Sequence, residues 1–474
     1  MGQNIAASSF TERDFIEFSA RLRQETRLLQ RWFAESVFEC DDTTIGFEAE
    51  AWLTGSDRGP SPKVEEMLES LADPLIVPEL ATFNIEFNGT PMALESDAFS
   101  RLAEELSATL ERANRAAQDS DARVAMIGIL PTLRPEHLRL EFMTPRERYR
   151  ALNEQVFALR HGRPLRLLIE GRDRLDLEWD DVMLEAAATS FQVHLKVAPS
   201  EAARAYNAAK ILSGPMVAIA ANSPFLFGRE LWQETRIPLF EQAVSVGGAV
   251  LQERVNFGFR YARSSILETF QSNIDRYPVL LPQLMDEPTE RLTHLRLHNG
   301  TIWRWNRPLI GFDDAGRPHL RIEHRVMPSG PSIPDVIANM ALYIGAIGTL
   351  IREDPPPESR LMFLHAQKGF YDCAREGLDA SIPWFGSVDL PVERILAEDL
   401  IPRARTGLAE QGIDAAEIAH WIGIVERRLE TRQTGAAWQC AWVQRHGPDM
   451  AELIGAYLDR QSGGRPVHEW NLED

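Results

Sequence analysis

Four short stretches alternate apolar and polar residues with period two, and their polar positions constrain the fold more than any other feature. In GFEAEAWL (46–53), Glu48 and Glu50 stand two apart in a run that otherwise reads as a buried strand. In a strand, such residues point to the same face. FNIEFN (83–88) alternates Phe83, Ile85 and Phe87 with Asn84, Glu86 and Asn88. SFQVHLKV (190–197) alternates Phe191, Val193, Leu195 and Val197 with Ser190, Gln192, His194 and Lys196. LRIEHRV (320–326) sets Arg321, Glu323 and Arg325 against Leu320, Ile322 and Val326. Glu79 stands in the connection leading to the second stretch, seven residues before Glu86.

Taken singly, each stretch reads as a strand with one dry and one wet face, as antiparallel sheets commonly show. Taken together, the polar faces carry paired carboxylates, then Gln, His and Lys, then a glutamate flanked by arginines. If these strands are neighbours, five carboxylates converge on one concave surface. Carboxylates at that density repel one another and resist burial unless cations accompany them. An oxygen-rich, thiol-free ligand set selects a hard ion, Mg²⁺ or Mn²⁺, over zinc. Mg²⁺ keeps open positions for phosphate oxygens, and Lys196, Arg321 and Arg325 balance phosphate charge. The pattern reads as a metal–nucleotide site built on a sheet. It contains no GxxxxGK[ST] phosphate loop and no convincing GxGxxG.

The chain's 474 residues allow two or three domains, or one large catalytic unit with an appendage. Being 44% hydrophobic and 25% charged, it has the composition of a soluble globular protein. A formal net charge of −20 disfavours nucleic-acid and anionic-membrane partners, which require basic patches. Cys40, Cys373 and Cys440 form no CxxC pair, so the expected setting is a reducing cytoplasm without disulfides or a zinc site. The first residues lack the basic start and apolar run of a secretory signal. Gly2 suits myristoylation, but Ala6 stands where that motif carries Ser or Thr. VIANMALYIGAIGTLI (336–351) is short for a membrane span and contains Asn339, so it reads as a buried helix.

Residues 10–38 and 96–118 have helical apolar spacing, with a turn-rich loop, TGSDRGPSP (54–62), between them. RAYNAAKILSGPMVAIAANSP holds a largely buried helix that must stop at Asn222-Ser223-Pro224. Beyond REDPPPES (352–359) the patterns are helical. The expected organisation is therefore an α+β catalytic core with an N-terminal helix over 1–334, and a mainly helical C-terminal portion over 335–474 packed on it.

GFEAE, E…IEFN, TSFQVHL, AANSPFLFG…ETR and RIEHR follow one another between about residues 45 and 330. In this order they resemble the glutamate–cysteine ligases of the second, plant and bacterial, type, together with the bacterial carboxylate–amine ligases. The resemblance implies the catalytic fold of glutamine synthetase: a curved antiparallel sheet forming a funnel for ATP and divalent metals, with helices packed outside. It implies Glu48, Glu50, Glu79, Glu86 and Glu323 as metal ligands. Arg325 would meet phosphate or acyl phosphate, and Arg236 substrate or phosphate. Of Gln192 and His194, one would touch metal and the other phosphate; the family often has His where Gln192 stands. Arg148, in TPRERY (144–149), is assigned either to substrate or to packing. NGTIWRWNRP (299–308) reads as a strand and turn near the site, with Trp303 and Trp305 in the core. The motifs offer no counterpart for the helices after about 350.

The implied activity is ATP-dependent amide formation through an acyl phosphate, with glutamate as the family's usual acid and an amine as second substrate. A phosphoryl-transfer kinase on the same fold and a non-catalytic nucleotide or metal sensor are the alternatives. The intact carboxylate set argues against the sensor. A homo-oligomer is left open.

Overall fold

The alternating stretches become strands of one antiparallel sheet. In the computed structural model, which describes residues 5, 8–39, 42–247, 253–386 and 388–473, the sheet has eight strands. They are β1 (Thr44–Thr54), β2 (Ile76–Pro78), β3 (Asn84–Asn88), β4 (Met92–Ala93), β5 (Arg123–Ala125), β6 (Phe191–Val197), β7 (Asn306–Phe312) and β8 (Pro318–His324). The order across the sheet is β7-β8-β6-β1-β3-β2, with β4 and β5 paired to opposite ends of β1. The sheet is a curled half-barrel and the whole is α+β, as the sequence led us to expect. Gly2, Ala6 and Cys40 lie outside the described residues. Cys373 and Cys440 are free thiols.

Register decides which polar residues meet. Glu50 stands opposite Glu86, and Glu48 opposite both Asn88 and Gln192. His194 stands opposite Glu323 and Lys196 opposite Arg321. On the last pair of strands, Arg307 is opposite Glu323. A slip of one residue in any ladder would send these side chains to the other face. That slip is resisted because Phe47, Ala49, Ala51, Val193, Leu195, Leu320 and Ile322 are all buried.

Helix Ala202–Ala220 packs against β7 and β8. Nearly all its residues are buried, and it ends before Asn222-Ser223-Pro224 as expected. Helix Ile333–Leu350 is capped by Ser332, whose hydroxyl accepts from Asp335 N–H. Among the described residues it is the one helix long and apolar enough to cross a bilayer, and it is buried inside the protein. Helices Glu12–Glu35 and Ala98–Gln118 match the expected amphipathic segments with slightly shorter ends.

After residue 350 come helices Phe363–Glu376, Ile401–Glu410, Ala415–Thr431, Gly435–His446 and Met450–Ser462, with a small hairpin of Ser381–Pro383 and Asp389–Pro391. Two glycines let Ile333–Leu350 and Ile401–Glu410 approach closely: a Cβ on Gly407 would sit 2.0 Å from Gly345 O. The last helix returns to the sheet side. Tyr457 Oη donates to Met126 O at 2.8 Å, and Gln461 accepts from Met126 N–H at 2.9 Å.

Candidate active site

Glu48, Glu50, Glu79, Glu86, Gln192, Arg321, Glu323 and Arg325 line a single cavity on the polar side of the sheet. Ladder positions fix Glu48, Glu50, Glu86, Gln192, Arg321 and Glu323, and hydrogen bonds hold several of the side chains. Ser190 N–H donates to Glu50 Oε2 at 2.6 Å, and Gln192 Nε2 donates to Glu50 Oε1 at 2.9 Å. The other end of the same amide, Gln192 Oε1, accepts from Arg325. Arg307 grips Glu323 as a fork, with Nε 2.8 Å from Oε2 and Nη2 2.9 Å from Oε1. Arg325 Nη1 adds a third cationic contact at 3.3 Å. Asn88 Nδ2 donates to Glu86 Oε1 at 2.9 Å.

Two populations of carboxylate result. Enclosure in the cavity, reinforced by the charge of Glu86, pushes Glu50 up to about 7 against the pull of Arg325. Enclosure with the charges of Glu50 and Glu185 likewise pushes Glu79 up to about 7. Glu86 is raised well above the ordinary range by enclosure and by Glu48 and Glu79. Glu323 goes the other way. Burial alone would raise it, but Arg307 and Arg325 together hold it at about 2.

The donors fit a divalent cation. One ligand atom each from Glu48, His194 and Glu323 can lie within 4.8 Å of one another. His194 Nε2 is 3.3 Å from Glu48 Oε1 and 4.0 Å from Glu323 Oε1. Nε2 of this buried ring faces Glu48, while Nδ1 has no hydrogen-bond partner among the described residues, which is costly unless something else binds it. Two carboxylates with one imidazole suit a divalent cation such as Mn²⁺. On the other side, Glu50, Glu79 and Glu86 are a set of mutually repelling carboxylates that a second cation would relieve.

The profile of glutamate–cysteine ligase family 2 matches residues 44–453. The chain belongs to that family. No curated protein matches the sequence. Among solved structures, the chain is similar to a glutamate–cysteine ligase from Francisella tularensis in complex with AMP. The TM-score is 0.59 at 11% identity, over 92% of this chain and 91% of that one. It is also similar to a bifunctional glutathione synthetase from Pasteurella multocida, with a TM-score of 0.53 at 11% identity, over 92% of this chain and 55% of that one. At such identities the likeness is one of fold. The family match runs through the C-terminal helices, well past the motifs that end near residue 330.

Three residues singled out in this family 2 chain lie elsewhere than the cavity wall. Lys196 is paired with Glu39 and Asp42 at the end of β6, and lines a smaller cleft with His194, Glu48 and Arg321. His194 itself borders that cleft, reaching the cavity's carboxylates edge-on. Arg236 is fully buried behind the end of β8. Its Nε donates to Glu234 Oε1 at 3.2 Å, its Nη2 donates to Val326 O, and its guanidinium lies 5.3 Å from the Trp305 ring centre. It therefore braces the backbone next to Arg325 and does not line the cavity.

Arg148 does line the cavity, and so does Trp303, against the expectation of a core role; Trp305 is in the core. Tyr149, Glu185 and Arg307 complete the wall and were not legible as site residues. Arg307 shares its strand face with apolar Leu309, so alternation gave no polar face to notice. Glu185 sits in a 3₁₀ turn, Met183–Ala187, where no period marks it.

Proposed function

We propose that this carboxylate–amine ligase uses ATP and Mg²⁺ or Mn²⁺ to join glutamate to an amine through an acyl phosphate. The observation that carries this reading is the shared cavity: five carboxylates from four strand regions line it with Arg307, Arg321 and Arg325, and Phe270, Leu281, Leu295 and Trp303 add apolar wall. A polar floor and an apolar wall suit a nucleotide, with phosphates toward the charges and base toward the rings. That the Francisella tularensis enzyme of like fold is in complex with AMP supports a nucleotide as ligand. A free, buried Cys373 suits a reducing compartment, and we place the reaction in the cytoplasm.

Glu48, His194 and Glu323 would hold one cation, and Glu50, Glu79 and Glu86 another. Bound there, the metal would supply Lewis-acid stabilisation of phosphoryl oxygens. The chain's own part is positioning. Arg325 is fixed by Gln192, Glu323 and its backbone bond to Trp305 O, so its charge needs no reorganisation as negative charge develops. In the first step a substrate carboxylate oxygen bonds to the γ-phosphorus and the bond to the ADP oxygen breaks. In the second, the amine nitrogen attacks the acyl carbon, loses a proton, and phosphate departs with one former carboxylate oxygen. The apolar wall limits loss of the acyl phosphate to water.

An array of amino acids and amines scored for ADP release, followed by mass spectrometry of the product, identifies the substrates. Oxygen-18 in the acid's carboxylate should then appear in released phosphate. Amide formed without label in phosphate would exclude the acyl-phosphate route. ADP release with a phosphorylated product and no amide would identify a kinase instead.

A further inference from the structure

A second pocket, basic where the first is acidic, lies across helix Leu267–Arg276. Phe270 of that helix lines the acidic cavity, whereas Thr269, Ser272 and Arg276 line the second pocket. The neighbouring segment divides the same way. Trp303 turns to the acidic cavity and Arg304 to the second pocket, as adjacent residues of an extended chain do.

Arg304 is 3% exposed, yet no hydrogen bond or ion pair engages its guanidinium among the described residues, and its Nε is buried without a partner. Its contacts are the aromatic rings of Phe259 and Tyr277, with centres 5.6 and 5.7 Å from Cζ. The pocket also holds Tyr261, whose buried hydroxyl lacks a partner. Arg276 stands over Phe259 at 4.8 Å and Arg263 sits at the mouth, neither ion-paired among the described residues. Three acids bear on the pocket. Burial, with the charge of Glu358, raises the Tyr261 phenol. Glu268 is occupied by Arg260 at 2.5 Å and by Ser264 N–H at 2.8 Å, and Asp275 lies at the exposed mouth.

The other buried arginines, Arg160, Arg236, Arg254 and Arg428, all donate hydrogen bonds, so Arg304 is an exception among the described residues. An uncompensated buried charge is strongly unfavourable, and aromatic faces offset only part of that. A tetrahedral anion fits the guanidinium fork and accepts from a phenol as well.

We propose that this pocket is an anion site for a phosphate group, free or carried as a monoester, held by Arg304, Arg276, Arg263 and the Tyr261 hydroxyl. It is separate from the acidic cavity and independent of the reaction assigned to that cavity. Calorimetric titration of the full chain with inorganic phosphate, and separately with glycerol 2-phosphate, tests it. The exposed pair Arg263→Ala/Arg276→Ala should fold normally and weaken phosphate binding at least about tenfold, as expected for lost charge-assisted contacts. Arg325→Ala should leave that binding unchanged. Whichever probe binds more tightly names the source, free phosphate or a phosphorylated metabolite. Two results overturn the proposal. One is no binding of either probe at millimolar concentrations. The other is binding abolished by Arg325→Ala and untouched in the double variant.

Discussion

Glu323 sits where the cavity's charges balance. Held by Arg307 as a fork and by Arg325 from one side, it anchors both arginines. Glu323→Gln and Arg325→Ala should each lower turnover at least about 100-fold, the scale of a lost charge-stabilising contact. The apolar side of β8 is unchanged in both, so circular dichroism should report a folded protein. Normal turnover per folded molecule would reassign the residue to structure. The raised carboxylates give a pH signature. Burial pushes Glu50, Glu79 and Glu185 up to about 7 in the folded chain, from an ordinary value of 4.5. Folded protein therefore binds more protons than unfolded between those values, and their contribution to stability is lost as pH rises through about 7. His298 and His319, lowered to about 4, and His324, lowered to about 3, pull the opposite way at lower pH. They do not line the cavity, so a difference measurement removes them. The part of the Mg²⁺-induced rise in Tm that depends on Glu50, Glu79 and Glu86 should be full above about pH 7 and fade below it, because the metal requires deprotonated carboxylates, whereas Glu48 and Glu323 stay ionised. A Mg²⁺ shift of the same size at about pH 5 and about pH 8 would count against these ligands.

At the scale of elements, the helix Ile333–Leu350 is pinned by one buried ion pair. Arg428 Nη2 is 2.7 Å from Asp335 Oδ1, and Asp335 Oδ2 accepts from Ser332 Oγ and from Val467 N–H at 2.9 Å. Both side chains are almost wholly buried. Arg428→Ala leaves a carboxylate uncompensated, which should cost about 3–5 kcal/mol in urea unfolding. The pair lies away from the cavity, so the KM of the folded variant should be unaltered. A loss below about 1 kcal/mol would show that water replaces the guanidinium. The apolar run of this helix was visible in the sequence, and so was its buried character. Its partner was not, since Asp335 and Arg428 are ninety-three residues apart and no periodicity links them.

For the whole molecule, the C-terminal helices are tied into the sheet side through Tyr457 with Met126 and Gln461 with Val124 and Met126. Helix Ala202–Ala220 packs on the strands on one side and on Phe363–Glu376 and Ile333–Leu350 on another. Separating the portion after 335 would expose that helix. Thermal unfolding followed by tryptophan fluorescence and by far-ultraviolet dichroism should give one coincident transition. Two resolved transitions would show that the C-terminal portion melts by itself.

The sequence by itself determined the strands and the carboxylates. Period-two alternation is a local property, so Glu48, Glu50, Glu86, Gln192, Arg321, Glu323 and Arg325 could be assigned to polar faces without knowing the topology. The buried helices were equally legible, from apolar runs and from a proline stop. Only the tertiary structure decided which polar residues meet. Lys196 is on the expected face, yet lies far enough along β6 to find Glu39 and Asp42. Arg236 follows a family motif, yet its helix buries it behind the strand it was expected to accompany. Arg307, Glu185 and Tyr149 reach the cavity from a mixed-face strand, a 3₁₀ turn and a helix start. Register and curl are set by contacts between distant segments, and a local pattern carries no information about them.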